Sequence, residues 1–478
     1  MDQRFSSYIA GQWVAGDGDH ADENPADLEA PVGHYGVLDA SQVAQAVDAA
    51  ADALPAWSLT TPQQRADALD AVGSEILARK EELGRLLARE EGKTLAEAIG
   101  EAARAGQIFR FFAGEALRIP GEKLASTRPG VEVEITREPV GTVGIIAPWN
   151  FPLAIPAWKI APALAYGNTV VFKPAELVPG CAWALAEILS RAGLPEGVFN
   201  LVIGSGRVAG QAMLGHRRLD ALTFTGSVPT GHALLEQAAA RQLKVQMEMG
   251  GKNPLVVLAD ADLDQAVECA VNGAFFSTGQ RCTASSRLIV EAPVYDAFVQ
   301  RMQQRMAALK VGDPLDPAVH IGPAASAAQL DTSLRYIRAG HEDGGQLLAG
   351  GERVEAARRG HFLAPTLFAA SPGDRIAREE IFGPVAAVLR ADDYEHALAL
   401  ANDTEFGLCA GICTRSLRHA THFKRHAQAG MVMVNLPTAG VDPHVPFGGR
   451  KASSYGPREQ GRYAMEFYTT VKTAYTSA

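Results

Sequence analysis

Hydrophobic and polar positions along the chain follow two periods, one typical of helices and one typical of strands. From Asp39 to about Phe112 the sequence is rich in alanine and leucine at helical spacing, which predicts several amphipathic helices. The segment 131–141, VEVEITREPVG, alternates apolar and polar residues, which predicts a half-exposed strand or ribbon. An exposed ribbon edge favours pairing with another strand or another subunit.

Four apolar runs follow the ribbon, and each precedes a turn and a helical pattern. They are VGTVGIIAPWNFP, NTVVFKPAE, GVFNLVIGSG and ALTFTGS. Strands that alternate with helices predict a parallel sheet covered by helices, an architecture that binds nucleotides. From Met247 the rhythm restarts, which predicts a second α/β domain ending near Tyr455. The alternating tail, EFYTTVKTAYTSA, is expected to pair with the ribbon or with another subunit.

Composition and charge indicate which classes of protein this chain can belong to. The chain has 478 residues, of which 47% are hydrophobic and 21% charged, as in a folded protein of about three domains. The net charge of -10 argues against a nucleic-acid partner. The N-terminus lacks a secretory pattern and no apolar run reaches the roughly 18 residues that cross a bilayer, so we expect a cytoplasmic protein with no membrane partner. Five cysteines in so long a chain fit a reducing compartment.

Glycines and polar residues lie at the ends of the predicted strands, where backbone N–H groups at a helix start can bind phosphate. The glycine runs are Gly204, Gly206 and Gly210, followed by Gly226 and Gly231 around Ser227 in FTGSVPTG. Neither spacing matches the common dinucleotide fingerprint, so both also fit ordinary turns. Lys173 and Glu176 follow a strand of the same sheet, where they suit ribose hydroxyls or form a solvated loop pair.

Cys282 is the candidate nucleophile, because it stands in a small polar run, FFSTGQRCTASS, beside Arg281. A free thiol has a pKa of about 8.5, and positive charge nearby favours the reactive thiolate. A lone cysteine is more often a small buried residue, and we expect this of those in apolar stretches: Cys181, Cys269, Cys409 and Cys413. His419, His422 and His426 have metal-ligand spacing, but their basic neighbours favour a solvated helix face, and we expect no metal.

Seven phrases occur in a fixed order along the chain. They are PWNFP (148–152), KPAE (173–176), FTGSVPTG (224–231), MEMGGKNP (247–254), GQRC (279–282), EEIFGP (379–384) and PFGG (446–449). In this order the sequence resembles the aldehyde dehydrogenase superfamily over essentially its full length. The resemblance implies an α/β fold with a Rossmann-like cofactor domain, an α/β catalytic domain and a β-ribbon oligomerisation element. These would comprise residues 1–120 with 140–247, residues 248–455, and residues 121–139 with 456–478.

The resemblance also implies a mechanism. In that family the cysteine of GQRC is the nucleophile, so Cys282 would attack the aldehyde carbon to give a thiohemiacetal and, after hydride transfer, a thioester. The Asn150 side chain and the Cys282 backbone N–H would stabilise the developing alkoxide. Glu248 corresponds to the base that activates water for hydrolysis of the thioester. Lys159 matches a lysine of a supporting proton path.

The implied cofactor is NAD or NADP. The family pattern assigns Lys173 and Glu176 to the adenosine ribose, and the carboxylate of Glu176 should repel a 2′-phosphate, which favours NAD. The other cofactor-binding residues that the resemblance implies surround the phosphates and the nicotinamide: Ile146, Pro148, Trp149, Gly206, Gly210, Phe224, Gly226, Ser227, Thr230, Met249, Gly250, Glu380 and Phe382.

The stretch that starts at Asn435 resembles most the bacterial dehydrogenases of 2,5-dioxopentanoate (α-ketoglutarate semialdehyde), which implies a carboxylated substrate. An acidic aldehyde needs a cation, for which Arg281 is the first candidate and Arg110 the second. The substrate tunnel is expected to be lined by aromatic residues, namely Phe151, Trp158 and Phe447.

Several alternatives stay open at this point. Within the superfamily they are succinate semialdehyde or a broad range of apolar aldehydes as substrates. A CoA-acylating enzyme is disfavoured because Glu248 is retained. A catalytically silent structural relative is disfavoured because Cys282, Glu248 and Asn150 are all present. The resemblance further implies a homodimer or homotetramer.

Overall fold

Helices occupy much of the chain in the computed structural model, which describes residues 4–477. Within that range the α-helices are α1 (Ala40–Ser58), α2 (Pro62–Ala78), α3 (Lys80–Glu90), α4 (Leu95–Ala116), α5 (Ala154–Ala165), α6 (Pro179–Ser190), α7 (Gln211–Gly215), α8 (Val228–Ala240), α9 (Leu263–Phe275), α10 (Tyr295–Ala307), α11 (Ala327–Glu342), α12 (Arg375–Arg378), α13 (Tyr394–Asn402), α14 (Leu417–His426) and α15 (Met465–Tyr468). The first four confirm the helices predicted from Asp39 onwards. Helix α1 begins where it does because the Asp39 side chain accepts the Gln42 N–H, and the Gln42 side chain returns a hydrogen bond.

The strands form two large sheets and three small ones. Their bounds are β1 (Arg4–Phe5), β2 (Ser7–Ile9), β3 (Gln12–Val14), β4 (Gly18–Asp22), β5 (Gly33–Val37), β6 (Glu122–Ala125), β7 (Val131–Pro139), β8 (Thr142–Ile146), β9 (Thr169–Lys173), β10 (Phe199–Leu201), β11 (Ala221–Thr225), β12 (Lys244–Glu248), β13 (Pro254–Val257), β14 (Arg287–Glu291), β15 (Gln346–Ala349), β16 (Thr366–Ala369), β17 (Val385–Ala391), β18 (Phe406–Gly407), β19 (Cys409–Cys413), β20 (Met431–Val434), β21 (Arg450–Lys451), β22 (Ser454–Tyr455) and β23 (Thr469–Ser477). Of the small sheets, β1, β4 and β5 form one near the N-terminus and β18 pairs with β21.

The first large sheet has eight strands in the order β22-β12-β11-β8-β9-β10-β2-β3. The five from β12 to β10 run parallel, and β8, β9, β10 and β11 are the strands of the four predicted strand-turn-helix units. Counted along the chain from β8, the five parallel strands lie in the spatial order 3-2-1-4-5 that is typical of dinucleotide-binding sheets. The order reverses at β8, which lies between β9 and β11. A crevice therefore opens beyond the carboxyl ends of β8 and β11, where ligands of such sheets bind.

The second large sheet is built from the part of the chain after Met247, where the sequence predicts strands that alternate with helices. Its order is β15-β16-β17-β14-β13-β19-β20, in which β15 runs antiparallel to β16 and all the other neighbouring pairs are parallel. Strand β13, in the interior of this sheet, is apolar throughout, since Leu255, Val256 and Val257 are all fully buried. A continuous apolar run of this kind is typical of a parallel strand covered on both faces.

The third sheet consists of β6, β7 and β23. Strand β23 runs antiparallel to β7 over nine residue pairs, from Thr469 opposite Pro139 to Ser477 opposite Val131. The tail therefore pairs with the ribbon, which was one of its two expected partners. The sheet leaves apolar side chains exposed, among them Leu124, Val471 and Tyr475.

Two further expectations concern buried groups. The four cysteines other than Cys282 are buried, as predicted. The expected solvated face of α14 is only partly found: His426 is exposed, whereas His419 and His422 are half-buried against Tyr394, with His419 stacked on its ring at 4.4 Å and His422 hydrogen-bonded to its hydroxyl at 2.7 Å. Among residues 4–477, helices that are both long and apolar enough to cross a bilayer are absent.

Candidate active site

Cys282 lies where two cavities meet. The first, of about 390 Å³, is walled by α4, α5 and the segment around Phe447. The second, of about 200 Å³, lies in the crevice beyond β8 and β11. Cys282 lines both cavities. A group attached to its sulfur from the first cavity would therefore be accessible to a molecule in the second.

The loop before Cys282 is tightly wound and held from several sides. Ser277 and Thr278 have positive φ angles of 50° and 56°. The Gln280 side chain accepts the Ala325 N–H at 2.9 Å. The Asn253 amide donates to the Cys282 carbonyl at 2.7 Å. Burial, together with the nearby carboxylates of Glu380 and Glu248, raises the pKa of the Cys282 thiol well above its usual range.

Asn150 reaches the same point from the turn after β8. Its side-chain N–H₂ donates to the Gln280 carbonyl at 2.9 Å, and Asn150 and Cys282 both line the second cavity. The Asn150 backbone carbonyl accepts the Lys93 ammonium at 2.6 Å. The structure thus brings the predicted amide donor and the predicted nucleophile together.

Glu248 ends β12 and is 2% exposed. One carboxylate oxygen accepts the Ser454 hydroxyl at 2.5 Å, and the other has no hydrogen-bond partner within residues 4–477. Burial raises the pKa of Glu248 well above its usual value, and the charge of Glu459 adds to this. A carboxyl with a raised pKa and a free oxygen is typical of a general base.

Lys159 lies on α5 and donates to the Thr223 hydroxyl at 2.7 Å and to the carboxylate of Glu459. Burial lowers the pKa of Lys159 and raises that of Glu459, so both groups are biased towards their neutral forms. Glu459 was missed by sequence reasoning. It lies 300 positions beyond Lys159, in a β-bridge to Phe447 within a polar segment, so the sequence carries no local signal for it.

The second cavity gathers most of the predicted cofactor-binding residues. Those that line it are Pro148, Trp149, Gly226, Ser227, Met249, Gly250, Glu380 and Phe382. A Cβ at Gly226 would lie 2.5 Å from the Phe224 ring, and one at Gly250 would lie 2.2 Å from the Glu380 carboxylate. Only glycine permits so close an approach. The cavity also faces the start of the 13-residue helix α8, whose free N–H groups suit a phosphate. This arrangement fits a dinucleotide.

The other predicted cofactor residues lie outside this cavity along the same sheet edge. Ile146 and Lys173 end β8 and β9, and the Gly206 N–H donates to the Glu176 carboxylate at 2.8 Å. The Thr230 and Ser227 hydroxyls are 2.9 Å apart. Two of the remainder are less specific. Gly210 ends a short π-helix with space around it where a Cβ would stand, so its backbone does not require glycine, and Phe224 is a buried residue beneath Gly226.

The first cavity brings together Phe151, Trp158, Phe447 and Arg281, as predicted for the substrate tunnel. The rings of Trp158 and Phe447 stack at 5.2 Å. The Arg281 guanidinium, however, already donates to the Glu97 carboxylate at 3.0 Å. Its cationic charge is therefore balanced before any substrate enters.

The prediction for Arg110 is wrong. This side chain is 57% exposed on the outer face of α4, where it pairs with Asp70, and it does not line the cavity. Arg104 on the same helix lines the cavity instead. Six residues along a helix turn the side chain by about 120° to another face, which separates the two arginines. The helical pattern predicted α4 but not which of its arginines faces the site.

Comparison with known proteins agrees with this geometry. Residues 13–474 match the aldehyde dehydrogenase family. The chain is 45% identical to an alpha-ketoglutaric semialdehyde dehydrogenase of Bacillus subtilis, over 98% of each chain. It is 42% identical to an alpha-ketoglutarate semialdehyde dehydrogenase of Haloferax volcanii, over 100% of each. A crystal structure of a betaine aldehyde dehydrogenase from Staphylococcus aureus in complex with NAD+ superimposes with a TM-score of 0.96 at 32% identity, covering 99% of this chain and 95% of that one.

These matches span nearly the whole chain, and they confirm the fold implied by the seven phrases. A thiol between two cavities, one of which fits a dinucleotide, is what oxidation of an aldehyde to an acid with NAD or NADP requires. The chain belongs to the aldehyde dehydrogenase family.

Proposed function

We propose that this aldehyde dehydrogenase oxidises α-ketoglutarate semialdehyde to α-ketoglutarate. The observation that carries the proposal is Arg104, a cation in the wall of the same cavity that contains Cys282. A substrate with a carboxylate at one end and an aldehyde at the other would bridge these two residues. The names of the Bacillus and Haloferax relatives support the same substrate.

The hydrogen bonds of the cavity arginines favour Arg104 as the carboxylate ligand. Arg104 donates from one terminal nitrogen to the Gln460 side chain at 3.2 Å, and its Nε has no partner within residues 4–477. A guanidinium has five N–H donors, so several remain for a carboxylate. Arg281 is bound by Glu97 and Asn272. We therefore assign the substrate carboxylate to Arg104 in place of Arg281.

Replacing Arg104 by methionine should raise KM for α-ketoglutarate semialdehyde by about 10- to 100-fold, because charge-assisted hydrogen bonds to the carboxylate are lost. Oxidation of hexanal, which has no carboxylate, should change by less than about 3-fold. The matched control is Arg110→Met, on the same helix but outside the cavity. Equal losses with both aldehydes, or the same KM increase in the control, would remove Arg104 from the substrate site.

A broad-specificity enzyme for apolar aldehydes is the second candidate, because stacked Trp158 and Phe447 and the nearby Phe151 make the cavity largely aromatic. The two candidates separate in one assay of absorbance at 340 nm, with NAD or NADP and with α-ketoglutarate semialdehyde, succinate semialdehyde or hexanal. The highest kcat/KM for the first substrate supports our proposal. Preference for hexanal would establish the second candidate.

In the proposed mechanism, Cys282 attacks the aldehyde carbon and its sulfur forms a thiohemiacetal. The oxygen that becomes negative would be held by the Asn150 amide and the Cys282 backbone N–H. Each such donor contributes roughly 3–4 kcal/mol to lowering the barrier in comparable sites. Bound NAD or NADP supplies the acceptor of the hydride that leaves this carbon, and a thioester to Cys282 remains.

Hydrolysis of the thioester needs an activated water, and we assign this step to Glu248. Glu248 is buried and lines neither cavity, so its side chain would have to turn towards Cys282 for the unpartnered carboxylate oxygen to accept a proton from the attacking water. The charges of Glu459 and Lys159 act on Glu248, so we assign the next step of the proton to this buried pair, which the hydroxyl of Thr223 also joins. Because Lys159 and Glu459 are both biased to their neutral forms, either can change protonation state at modest cost.

The residues proposed to hold the dinucleotide lie along the carboxyl edge of the first sheet. Ser227 and the start of α8 would bind phosphate, while Glu380 and Phe382 would flank the nicotinamide. Lys173 and Glu176 would bind the adenosine ribose. The Gly206 N–H fixes the Glu176 carboxylate at this edge, where its charge would repel a 2′-phosphate, so we propose that NAD is preferred over NADP.

The catalytic rate should rise with pH. The pKa values of Cys282 and Glu248 are both raised above their usual values, mainly by burial, and the active forms are the thiolate and the carboxylate. The fraction of each active form therefore increases as pH increases. Alkylation of Cys282 by iodoacetamide in the cofactor-free enzyme should accelerate by about tenfold per pH unit between about pH 6 and pH 8. A rate independent of pH in this range would show that the thiolate is already formed, contrary to this expectation.

The remaining proposals concern organisation. We propose the division into residues 1–120 with 140–247, residues 248–455, and residues 121–139 with 456–478 as cofactor, catalytic and oligomerisation parts. The exposed apolar side chains on β6 and β23 support a homodimer or homotetramer. Five free cysteines support a reducing compartment such as the cytoplasm.

A further inference from the structure

Glu97 lies in the first turn of α4 and contributes to the wall of the first cavity. One of its carboxylate oxygens accepts three hydrogen bonds. They come from the Ser277 N–H at 2.8 Å, the Ser277 hydroxyl at 3.0 Å and the Arg281 guanidinium at 3.0 Å. The other oxygen accepts the Thr94 N–H at 3.3 Å and the Thr94 hydroxyl at 2.9 Å. One side chain therefore ties the start of α4 to both ends of the segment that precedes Cys282.

The segment tied in this way has an unfavourable backbone conformation. Ser277 and Thr278 are not glycines, yet both have φ angles in the left-handed region, and Gly279 follows at φ 65°. Such a conformation costs free energy and persists only where the surroundings hold it in place. On the side of the segment that faces away from the cavity, the Thr278 hydroxyl donates a hydrogen bond to the Gly322 carbonyl at 3.1 Å. On the side that faces the cavity, the segment is held by the carboxylate of Glu97.

The geometry points to Glu97 as a positioning residue for the nucleophile. We propose that it holds the wound segment 277–281 so that the Cys282 thiol and backbone N–H face the junction of the two cavities. We call the hydrogen bonds that Glu97 accepts from Ser277 and Arg281 the clamp. The role of Arg281 in the clamp explains why a cation lies beside the nucleophile without binding substrate. The inference rests on the proposed role of Cys282. Glu97 itself touches neither the reacting carbon nor the cofactor in this account.

The clamp is tested by Glu97→Ala and Glu97→Gln, with Thr94→Ala as the matched control. Thr94→Ala removes a hydroxyl from the same cap of α4 but leaves the bonds from Glu97 to Ser277 and Arg281. The first readout is the rate at which iodoacetamide alkylates Cys282, measured in the cofactor-free enzyme and in the NAD-bound enzyme. The others are kcat per active site, KM for NAD and Tm. The number of active sites is taken as the number of thiols that the substrate protects from alkylation by iodoacetamide.

We expect Glu97→Ala to lower kcat per active site by about 100-fold, the effect of a misplacement of about 1 Å, and to change the pH profile of alkylation. KM for NAD should stay within about 2-fold, because the cofactor cavity does not include Glu97. Glu97→Gln should recover most of the loss, since an amide oxygen still accepts both Ser277 bonds. Thr94→Ala should lower Tm but keep kcat.

Three results would overturn the proposal. The first is an alkylation rate and kcat in Glu97→Ala equal to those of the wild type. The second is an equal loss of kcat in Thr94→Ala, which would show that Glu97 acts by capping α4 and not by holding the segment before Cys282. The third is a change confined to KM for carboxylated aldehydes, which would place Glu97 in substrate recognition. If Cys282→Ala itself keeps full activity, the proposed function fails, and that outcome is distinct from failure of the clamp alone.

Discussion

Replacing Cys282 by alanine should abolish NADH formation, with a fall in kcat of at least about 10⁴-fold, because the bond that holds the aldehyde during oxidation can no longer form. The thiol lines both cavities, whereas the other four cysteines are buried and line neither of them, although Cys409 belongs to the apolar cluster against which Cys282 packs. None of them can replace it without movement of the core. The measurement is absorbance at 340 nm over hours at high enzyme concentration.

The control for this substitution is Cys269→Ala, which removes a buried thiol from α9 and should keep activity within about 3-fold. The far-ultraviolet circular dichroism of both variants should match the wild type. Retention of more than about a tenth of wild-type activity in Cys282→Ala would contradict the assignment of the nucleophile. Loss of activity in both variants would point to damage of the core.

Replacing Glu248 by glutamine should lower kcat by about 10²- to 10⁴-fold, because an amide cannot take the proton of the attacking water. The first turnover should survive, since thiohemiacetal oxidation precedes hydrolysis. Rapid mixing should therefore show a burst of one NADH per active site followed by a slow steady rate. Glutamine has nearly the same shape, so the hydrogen bond from Ser454 can be retained.

The matched control is Glu268→Gln on the exposed face of α9, where the carboxylate pairs with Arg305. It should leave both the burst and the steady rate unchanged. A Glu248→Gln enzyme with the wild-type steady rate would remove Glu248 from the reaction. A variant that loses the burst as well would show that Glu248 also activates the thiol.

Much of the fold follows from local pattern. Helical spacing predicts α1 to α4, alternation predicts β7 and β23, and the repeated strand-turn-helix order predicts the parallel strands of both large sheets. These features depend on which face of an element meets the core, and that information lies within a few neighbouring residues. The order of strands around β8 depends on contacts far apart in the chain, so the sequence pattern alone leaves it open.

The residues of the site also differ in whether local sequence predicts them. Cys282, Asn150 and Glu248 follow from short phrases that resemble a family, whereas Glu97 and Glu459 act through partners 184 and 300 positions away. No window of sequence contains both members of such a pair. Arg104 shows a different limit. Its helix is predictable, but the rotation of that helix against the cavity depends on tertiary packing, so the helical pattern does not distinguish Arg104, which lines the cavity, from the exposed Arg110.

The charge beside the nucleophile illustrates why residue type alone misleads. Arg281 next to Cys282 is a reasonable carboxylate ligand in sequence, and only the structure shows Glu97 beside it at 3.0 Å. A buried cation is commonly paired, and the pairing decides whether its donors are available to a substrate. The same reasoning shifts the substrate hypothesis to Arg104 without changing the chemistry at Cys282.

The central claim is that oxidation proceeds through a thioester on Cys282. Its most direct test is to mix the Glu248→Gln enzyme with NAD and α-ketoglutarate semialdehyde, stop the reaction in acid after the burst, and determine the masses of the proteolytic peptides. The account predicts that the peptide containing Cys282 gains the mass of the acyl group in proportion to the NADH formed. NADH formation without an adduct, or an adduct on a different cysteine, would contradict it.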